Sequence, residues 1–280
     1  MNVAIVTMTR CPPDFLDWIE YHVNVVGISK IYLRLEGPHV EETMKKLKRY
    51  PDVLVLEHHV SPSGDQMVRQ MFLVEAAIEK AKEESMDYLL HIDDDELFHV
   101  ESIGLQGLLR KMEADDDPWD YLHFQNVEAV YPHPTFNEYM ETREKETCFQ
   151  KTKWFNECFE SQCRSYGNGK SMTRIDIPEP GPVGVHYFRG KSKRVPSSLA
   201  QILHFESCRY EDWKTKFMVM SPSKFPFYKE SRSAIQQYQS CLQQHHHPTH
   251  THICEKNLYD FYTSQTDVNS VSTSFKINNL

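Results

Sequence analysis

The stretch YLLHIDDDELF, residues 88–98, places three aspartates and a glutamate directly after a run of large apolar residues. The apolar segment YLLHI is typical of a buried β-strand. Adjacent carboxylates repel one another, and a bound cation is the usual way in which proteins compensate such a cluster. The charge cluster therefore predicts a functional site at the end of this strand.

The chain before this stretch alternates predicted strands and helices. Apolar segments that are rich in β-branched residues predict strands at 3–8, 30–36, 53–58 and 88–92. Helical patterns lie between them: one follows Pro12 and ends at Gly27, one covers 39–50, and one runs from Asp65 to about Ser85. This alternation predicts an α/β fold with a mostly parallel central sheet and helices on both faces. In such sheets ligands bind beyond the carboxyl ends of the strands, where residues 93–95 lie.

Beyond residue 128 the alternation stops. Residues 131–163 are rich in aromatic and charged side chains, and they predict an irregular or helical insertion over the sheet. Shorter strand-like and helical segments then follow, at 166–175, 181–188, 199–207, 210–220 and 229–242. We therefore expect an α/β half at 1–127, a second half of the same domain at 128–240, and a loosely packed or disordered polar tail at 241–280.

The overall composition narrows the class of function. The chain has 280 residues and a net charge of −9, which argues against a nucleic-acid-binding protein. We find no run of the roughly 18 apolar residues that span a membrane. The N-terminus, MNVAIVTMTR, lacks the basic start of a signal peptide, so we expect it to be a core strand and not a signal peptide. The seven cysteines are odd in number and scattered, and Asn-x-Ser/Thr sequons are absent. These features predict a reducing, cytoplasmic setting without a disulfide framework, with a truncated lumenal domain as the alternative.

The carboxylates of residues 93–95 favour a particular kind of ligand. Oxygen ligands select hard cations such as Mg²⁺ or Mn²⁺. Such ions bridge phosphate oxygens and neutralise the charge that grows on a leaving phosphate, so the cluster predicts a metal site for a diphosphate. The segment EADDDPWD, residues 113–120, also holds three consecutive aspartates, but it follows a polar stretch. We expect that second run to be a solvated loop.

Several segments together resemble the nucleotide-sugar half of a GT-A glycosyltransferase, in the group related to family-2 and galactosyltransferase-like enzymes that includes those of large algal viruses. They are the N-terminal strand, FLDWIEYHVNVVGISKIYL (15–33), the helix with DQMVRQ (65–70) and HIDDDELF (91–98). LHFESCRYEDWKTKF (203–217) is similar to a pattern near the end of that domain. The resemblance covers roughly residues 1–220. It implies a GT-A, Rossmann-like fold, with 1–127 binding the nucleotide-sugar and 128–240 forming an acceptor-side α+β portion.

The resemblance also implies an activity and site residues. The activity is sugar transfer from a nucleotide-diphosphate donor to a hydroxyl of a glycan or glycoconjugate, with inversion. Mn²⁺ or Mg²⁺ would be held by Asp93, Asp95, His186 and His204. Residues that would contact the donor are Thr7, Arg10, Glu36, Arg69, Gln70, Asp93, Asp94, Lys170 and Arg174. Glu36 stands where relatives often carry an Asp, so the base of the donor is left open, with UDP as the default.

An inverting transfer needs a general base that takes the proton of the acceptor hydroxyl. Glu157 and Glu160, in the insertion, are the candidates, with Glu128 and Glu206 behind them. Aromatic residues in this half are candidates for stacking on a sugar or, more simply, for the core: Trp154, Phe155, Tyr166, Tyr187 and Phe188.

Two other functions stay open. A sugar-nucleotidyltransferase needs a glycine-rich loop after the first strand to hold a triphosphate, and VTMTRCPPD (6–14) contains no glycine. A non-catalytic carbohydrate-binding module would carry the same residues and would differ in donor turnover. The histidine-rich segment HHHPTHTH (245–252) has no cysteine pair at a zinc-finger spacing, so we expect a solvated tail there.

Overall fold

The computed structural model describes residues 1–37, 40–56, 65–142, 148–157, 166–206, 208–219, 229–244, 248–267 and 274–277. The chain forms two compact units. The first unit contains Met1–Asn126 and Asn168–His204, and the second contains Val127–Gly167 and Phe205–Leu280. The run of aspartates at residues 93–95 belongs to the first unit.

Strands and helices follow one another along the chain. The strands are β1 (Val3–Thr9), β2 (Lys30–Leu35), β3 (Val53–Val55), β4 (Tyr88–His91), β5 (Glu96–Val100), β6 (Tyr121–Phe124), β7 (Asn126–Val130), β8 (Trp154–Glu157), β9 (Lys170–Arg174), β10 (Pro182–Val183), β11 (Tyr187–Phe188), β12 (Ser192–Arg194), β13 (Ala200–His204) and β14 (Ser274–Lys276). The helices are α1 (Phe15–Glu20), a π-helical segment (Tyr21–Val26), α2 (Val40–Leu47), α3 (Gln66–Glu83), α4 (Gly104–Glu113), α5 (Phe136–Thr142), α6 (Cys148–Lys151), α7 (Tyr210–Val219), α8 (Lys229–Gln244) and α9 (Pro248–Thr266).

The central sheet of the first unit is mixed. Its strand order is β12-β6-β9-β4-β1-β2-β3. The strands β3, β2, β1 and β4 run parallel, as the alternation of strands and helices predicts. By contrast, β9 is antiparallel to both β4 and β6. The pair β12 and β6 is again parallel. The α/β class is therefore confirmed, and the sheet is mixed because β9 runs antiparallel to both of its neighbours.

Helix α3 covers one face of this sheet and fixes two residues of the candidate site. Its inner face is buried in one cluster with Ala4, Val6 and Leu89 of β1 and β4. The buried helix residues in that cluster are Leu73, Val74, Ala77, Ile78 and Ala81. The side chain of Asp65 accepts a hydrogen bond from the backbone amide of Met67, which caps the helix and sets the position of its first turns.

The second unit contains an antiparallel set of strands, β7, β8 and β14, and the helices α5 to α9. Its core is an aromatic cluster formed by Phe136, Tyr139, Tyr210, Trp213, Phe217, Ile235, Tyr238, Cys254, Leu258, Tyr259 and Tyr262. The last four of these lie on α9, so the expectation of a loosely packed tail from residue 241 is wrong for this helix. Its apolar positions follow helical spacing, which the polar composition of the segment obscured.

A disulfide joins Cys241 of α8 to Cys254 of α9 in the second unit. The scattered cysteines did not predict it, because the pairing depends on how two helices pack. Of the histidine-rich segment, residues 245–247 lie outside the described residues and the remainder begins α9. No described helix is long and apolar enough to cross a membrane.

Candidate functional site

The strand after the aspartates, β5, is anchored by α1 and the π-helical segment. The indole Nε1 of Trp18 donates to the backbone oxygen of Glu96 at 2.6 Å, and the amide of Phe98 donates to Nε2 of His22 at 3.1 Å. The other ring nitrogen of His22 hydrogen-bonds with the backbone oxygen of Trp18 at 2.8 Å, so the ring is neutral and protonated on Nδ1. Burial lowers the pKa of His22 to about 3. The motif FLDWIEYH therefore fixes the strand that begins at the acidic cluster.

Asp93 is held at both of its carboxylate oxygens. The amide Nε2 of Gln70, on α3, donates to Oδ1 at 2.7 Å. The ammonium of Lys170 donates to Oδ2 at 2.5 Å. Burial raises the pKa of Asp93, but the charge and hydrogen bond of Lys170, together with neighbouring side chains, outweigh it and leave that pKa well below its ordinary value. Asp93 is therefore an ionised carboxylate in a fixed position.

Lys170 lies fully buried at the start of β9, between Asp93 and Glu96. Its Nζ is 3.5 Å from Oε2 of Glu96, and this same oxygen accepts a hydrogen bond from the amide of Asp93 at 2.7 Å. Burial lowers the pKa of Lys170, but the two carboxylates outweigh it and leave that pKa above its ordinary value. Burial raises the pKa of Glu96. The structure thus makes Lys170 an internal counter-ion, and its buried ammonium does not reach a surface where a diphosphate would bind.

Glu96 is a further residue of this site, and the sequence patterns did not predict it. Glu96 directly follows the aspartates and begins β5. Its place in the sequence could therefore have indicated that its side chain lies at the same edge of the sheet. Its side chain is 0% exposed, so its carboxylate belongs to the interior of the site.

Asp94 turns toward the end of β1. The hydroxyl of Thr9 donates to its Oδ2 at 2.6 Å, and the backbone amide of Arg10 also hydrogen-bonds with this carboxylate. Thr9 in turn accepts a hydrogen bond from the amide of Cys11 at 2.8 Å. Burial, with the adjacent charge of Asp95, raises the pKa of Asp94. Asp94 therefore fixes the loop after β1.

Asp95 is the more open carboxylate. Its side chain is 41% exposed, compared with 30% for Asp93, and its Oδ2 lies 3.6 Å from Nε2 of His204. His204 reaches this position because β13 pairs antiparallel with β5 and places it opposite Glu96. Two ligand atoms that each lie about 2.1 Å from an ion are separated by at most about 4.2 Å. Asp95 and His204 therefore fit a shared divalent cation.

Two further histidines lie near Asp93. Nδ1 of His186 hydrogen-bonds with the backbone oxygen of Gly169 at 2.8 Å, and burial together with the charge of Lys170 lowers the pKa of His186 to about 4. His91, on β4, was not predicted; in an alternating strand it shares a face with Asp93. It is 4% exposed, its Nε2 has no hydrogen-bond partner among the described residues, and burial lowers its pKa to about 3. Both imidazoles are therefore neutral, which is the form that binds metals.

The end of β2 carries a glutamate that is paired with arginines. Arg69 donates from Nε and Nη2 to the two oxygens of Glu36, at 2.8 and 3.0 Å, and Nε of Arg34 lies 3.2 Å from Oε1. The hydrogen bonds from Arg69 lower the pKa of Glu36. Helix α3 therefore contacts the ends of two strands, through Arg69 at β2 and Gln70 at β4.

Thr7 and Arg10 lie on and just after β1. Thr7 is fully buried, and its hydroxyl has no hydrogen-bond partner within the described part of the chain. The side chain of Arg10 lies next to Gly37, which follows β2. The structure thus brings the ends of β1, β2 and β4 together at one edge of the sheet.

Arg174 is not brought to this edge. It lies at the other end of β9 from Lys170, opposite Tyr88 in the register with β4, and its guanidinium pairs with Asp176 at 2.9 Å. Four residues of strand correspond to about 13 Å. Arg174 instead lines a separate pocket of ≈ 260 Å³ together with Tyr88 and Glu113.

The candidate general bases lie in the second unit. Glu157 is exposed at the end of β8, and Glu160 lies outside the described residues. Glu128 is buried on β7, and Glu206 pairs with Lys216.

The aromatic candidates divide into buried and exposed residues. Phe155 and Phe188 are buried, whereas Trp154 and Tyr187 are more than one-third exposed. Tyr166 is half-buried. These positions favour the core for Phe155 and Phe188.

Comparisons with known proteins relate this chain to two plant proteins. No family model matches the chain. Glycosyltransferase-like At3g57200 of Arabidopsis thaliana is 24% identical over 260 residues, covering 75% of this chain and 48% of that protein. Glycosyltransferase-like At2g41451 of the same plant is 26% identical over 250 residues, covering 75% of this chain and 55% of that protein. This chain spans about half the length of these relatives.

The solved structures that align with this chain are only weakly similar to it. The 4-diphosphocytidyl-2C-methyl-D-erythritol synthase of Anaerococcus prevotii aligns with a TM-score of 0.34 and 7% identity, covering 62% of this chain and 70% of that chain. A likeness at that level carries no argument about fold or activity. The two plant relatives, by contrast, support a place for this chain in a glycosyltransferase-like family.

Proposed function

We propose that this protein is a metal-dependent glycosyltransferase. It moves a sugar from a nucleotide-diphosphate donor, UDP-sugar by default, to a hydroxyl of a glycan or glycoconjugate, with inversion. The proposal rests chiefly on Asp95, which follows β4, and His204, which ends β13: their side chains lie 3.6 Å apart, and Asp95 is open to solvent. The names of the two plant relatives support the same class of reaction.

The residues at this edge have different roles in the proposal. Asp95 and His204 would hold Mn²⁺ or Mg²⁺, whereas His186 and His91 lie closer to Asp93 and Lys170. Such an ion would supply positive charge that neutralises a diphosphate leaving group. Asp93 presents a fixed, ionised carboxylate that accepts hydrogen bonds from hydroxyl groups of the donor.

The proposed base acts on the acceptor. Glu157 is exposed and carries the role in preference to buried Glu128. A Glu157→Gln variant is expected to lose roughly 10²–10⁴ in kcat with unchanged donor binding, which steady-state kinetics and a thermal-shift titration measure together.

A sugar-nucleotidyltransferase fits the structure less well. That chemistry needs backbone amides after the first strand to hold a triphosphate. Here the amide of Arg10 hydrogen-bonds with Asp94, and the amide of Cys11 hydrogen-bonds with Thr9. Both amides are therefore engaged within the protein.

The first test is thermal stabilisation of the protein by UDP, GDP, CMP and TDP, with and without Mn²⁺. A ligand at 100 times its Kd adds about 2.7 kcal/mol to the free energy of unfolding. We expect one nucleotide to stabilise the wild type only with Mn²⁺, and Asp95→Asn to abolish the effect. Stabilisation by none of the nucleotides contradicts the proposal. Nucleotide binding without donor turnover favours the carbohydrate-binding module.

The compartment is a separate part of the proposal. Disulfides form and persist in oxidising compartments, so the bond between Cys241 and Cys254 favours the lumenal alternative over the cytoplasmic one. Mass spectrometry of protein alkylated at the moment of cell lysis distinguishes them. Unmodified Cys241 and Cys254 support the lumenal setting, and complete alkylation supports the cytoplasmic setting.

A further inference from the structure

We propose that Lys170 is the fixed cation of the acidic cluster. It holds Asp93 and Glu96 in the way that a metal ion would, and it confines divalent cations to Asp95 and His204. The confinement of divalent cations to Asp95 and His204 rests on the proposed function, whereas the role of Lys170 as a fixed cation does not.

The burial of Lys170 is the first observation. The residue is 0% exposed, and a buried ammonium is stable only when it is paired and hydrogen-bonded. Its Nζ lies 2.5 Å from Asp93 and 3.5 Å from Glu96. The ammonium therefore lies between the carboxylate of Asp93 and the carboxyl group of Glu96, which is where a bound metal ion would lie.

The other contacts of these carboxylates show that the arrangement is built into the fold. Asp93 accepts from Gln70 at its second oxygen, and its amide donates to the Glu96 oxygen that faces Lys170. Glu96 is in turn held through its backbone oxygen by Trp18. Elements from four parts of the chain thus fix Asp93 before any metal ion is bound, so Lys170 is a positioning residue.

The charge of Lys170 also affects where a metal ion binds. A divalent cation on Asp93 would lie close to the ammonium, and like charges repel strongly where solvent is excluded. Asp95 lies beside an imidazole instead and is more exposed. The cluster of four acidic residues therefore offers one cation site, at Asp95 and His204.

The test compares unfolding temperatures in the presence of a chelator. Lys170→Met leaves two buried carboxylates without their cation, and we expect its unfolding temperature to fall by at least about 6 °C. Added Mg²⁺ should reverse much of this fall, because the carboxylates can then bind the ion in place of the ammonium. Lys191→Met is the control, since Lys191 pairs with Asp117 and both side chains are more than half exposed, so no resolvable shift is expected.

A compensating variant makes the test independent of whether Lys170→Met folds. The triple variant Lys170→Met/Asp93→Asn/Glu96→Gln removes the ammonium and both ionisable carboxyl groups. It should fold, should unfold at a higher temperature than Lys170→Met, and should show no response to Mg²⁺. A single variant as stable as wild type in chelator overturns the proposal, and so does a triple variant no better than the single one.

Counting bound Mn²⁺ by electron paramagnetic resonance tests whether Lys170 confines divalent cations to Asp95 and His204. We expect one ion per wild-type chain and two per Lys170→Met chain. Equal stoichiometry in the two proteins would show that Lys170 does not confine the metal ions. A wild type that binds no ion, with a variant that binds one, supports Lys170 as the fixed cation and contradicts the proposed metal-dependent function.

Discussion

Two runs of three aspartates, residues 93–95 and 115–117, have opposite environments in this protein. The first run follows the buried strand β4, and its carboxylates contact Gln70, Thr9 and Lys170. The second run follows the end of α4. Its outer carboxylates are more than half exposed and pair with lysines of the segment around β12.

The comparison shows that the segment before an acidic run decides its chemistry. An apolar strand carries residues 93–95 to the edge of a sheet, where a helix and two further strands supply partners. A polar helix end leaves residues 115–117 at the surface, where the outer carboxylates are solvated and pair with lysines. Identical local charge therefore produces an ordered site in one place and a surface loop in the other.

The largest expected difference is in metal affinity. Asp95→Asn should weaken Mn²⁺ binding roughly 100-fold or more, because loss of an indirect contact to a metal already costs 10–100-fold. Asp116→Asn, the middle residue of the second run, should leave the affinity unchanged. Isothermal titration calorimetry of both variants measures the Mn²⁺ affinity, and equal affinities would contradict the difference between the two runs.

Stability should differ between the first residues of the two runs. Asp93→Asn removes the nearest carboxylate from buried Lys170, and we expect the free energy of unfolding to fall by about 2 kcal/mol, since Glu96 remains 3.5 Å away. Asp115→Asn should give no resolvable change. Urea denaturation measures both, and a loss of stability in Asp115→Asn as large as in Asp93→Asn would show that burial is not the deciding factor.

The hydrogen bonds of His22 that anchor β5, the strand after the first run, should make the free energy of unfolding depend on pH. Burial lowers the pKa of His22 to about 3 in the folded protein, against an ordinary value of about 6.5. The unfolded chain therefore binds the proton first, so this stability is complete above pH 6.5 and is lost as the pH falls toward 3. We expect His22 to account for about 2 kcal/mol of lost stability at pH 5.

The check is a pair of denaturation series between pH 7.5 and 5. The difference between wild type and His22→Gln should shrink as the pH falls, because the variant lacks this titration. His91 is present in both proteins, so its own titration cancels. A difference that is independent of pH would contradict the assignment of a neutral His22.

The smallest expected effect concerns Asp94. Thr9→Ala removes the hydroxyl that donates to its carboxylate, and we expect a loss of about 1.5 kcal/mol in the free energy of unfolding. The pKa of Asp94 should rise further, because this hydrogen bond lowers it. Thr9→Ser keeps the donor and should restore most of the stability. Chemical denaturation measures the loss, and equal stability of the Ala and Ser variants would sink the prediction.

Much of the first unit was predictable from sequence. The strands β1, β2 and β4 are apolar runs with clear boundaries, and α3 has strong helical spacing. Because the carboxyl ends of parallel strands meet at one edge, the proximity of Glu36 and the aspartates followed from the predicted sheet. The contact of Gln70 with Asp93 was foreseen only in outline, through the resemblance.

Other features were not predictable from local patterns. Lys170 lies beside Asp93 because β9 pairs antiparallel with β4 in a register that places Leu90 opposite Met172. A shift of that register would move its side chain away from the aspartates. The same register puts Arg174 at the far end, although the two residues looked equivalent in sequence.

The sequence by itself determined where charge follows a buried strand, and therefore where a site lies. Only the tertiary structure decided what each carboxylate does: Asp93 is neutralised by Lys170, Asp94 fixes the loop after β1, and Asp95 stays open beside His204. The physical reason is one of range. Burial of a strand is set by its own apolar residues, whereas the partner of a buried charge comes from segments far along the chain, which pairing register and helix packing bring within hydrogen-bonding distance.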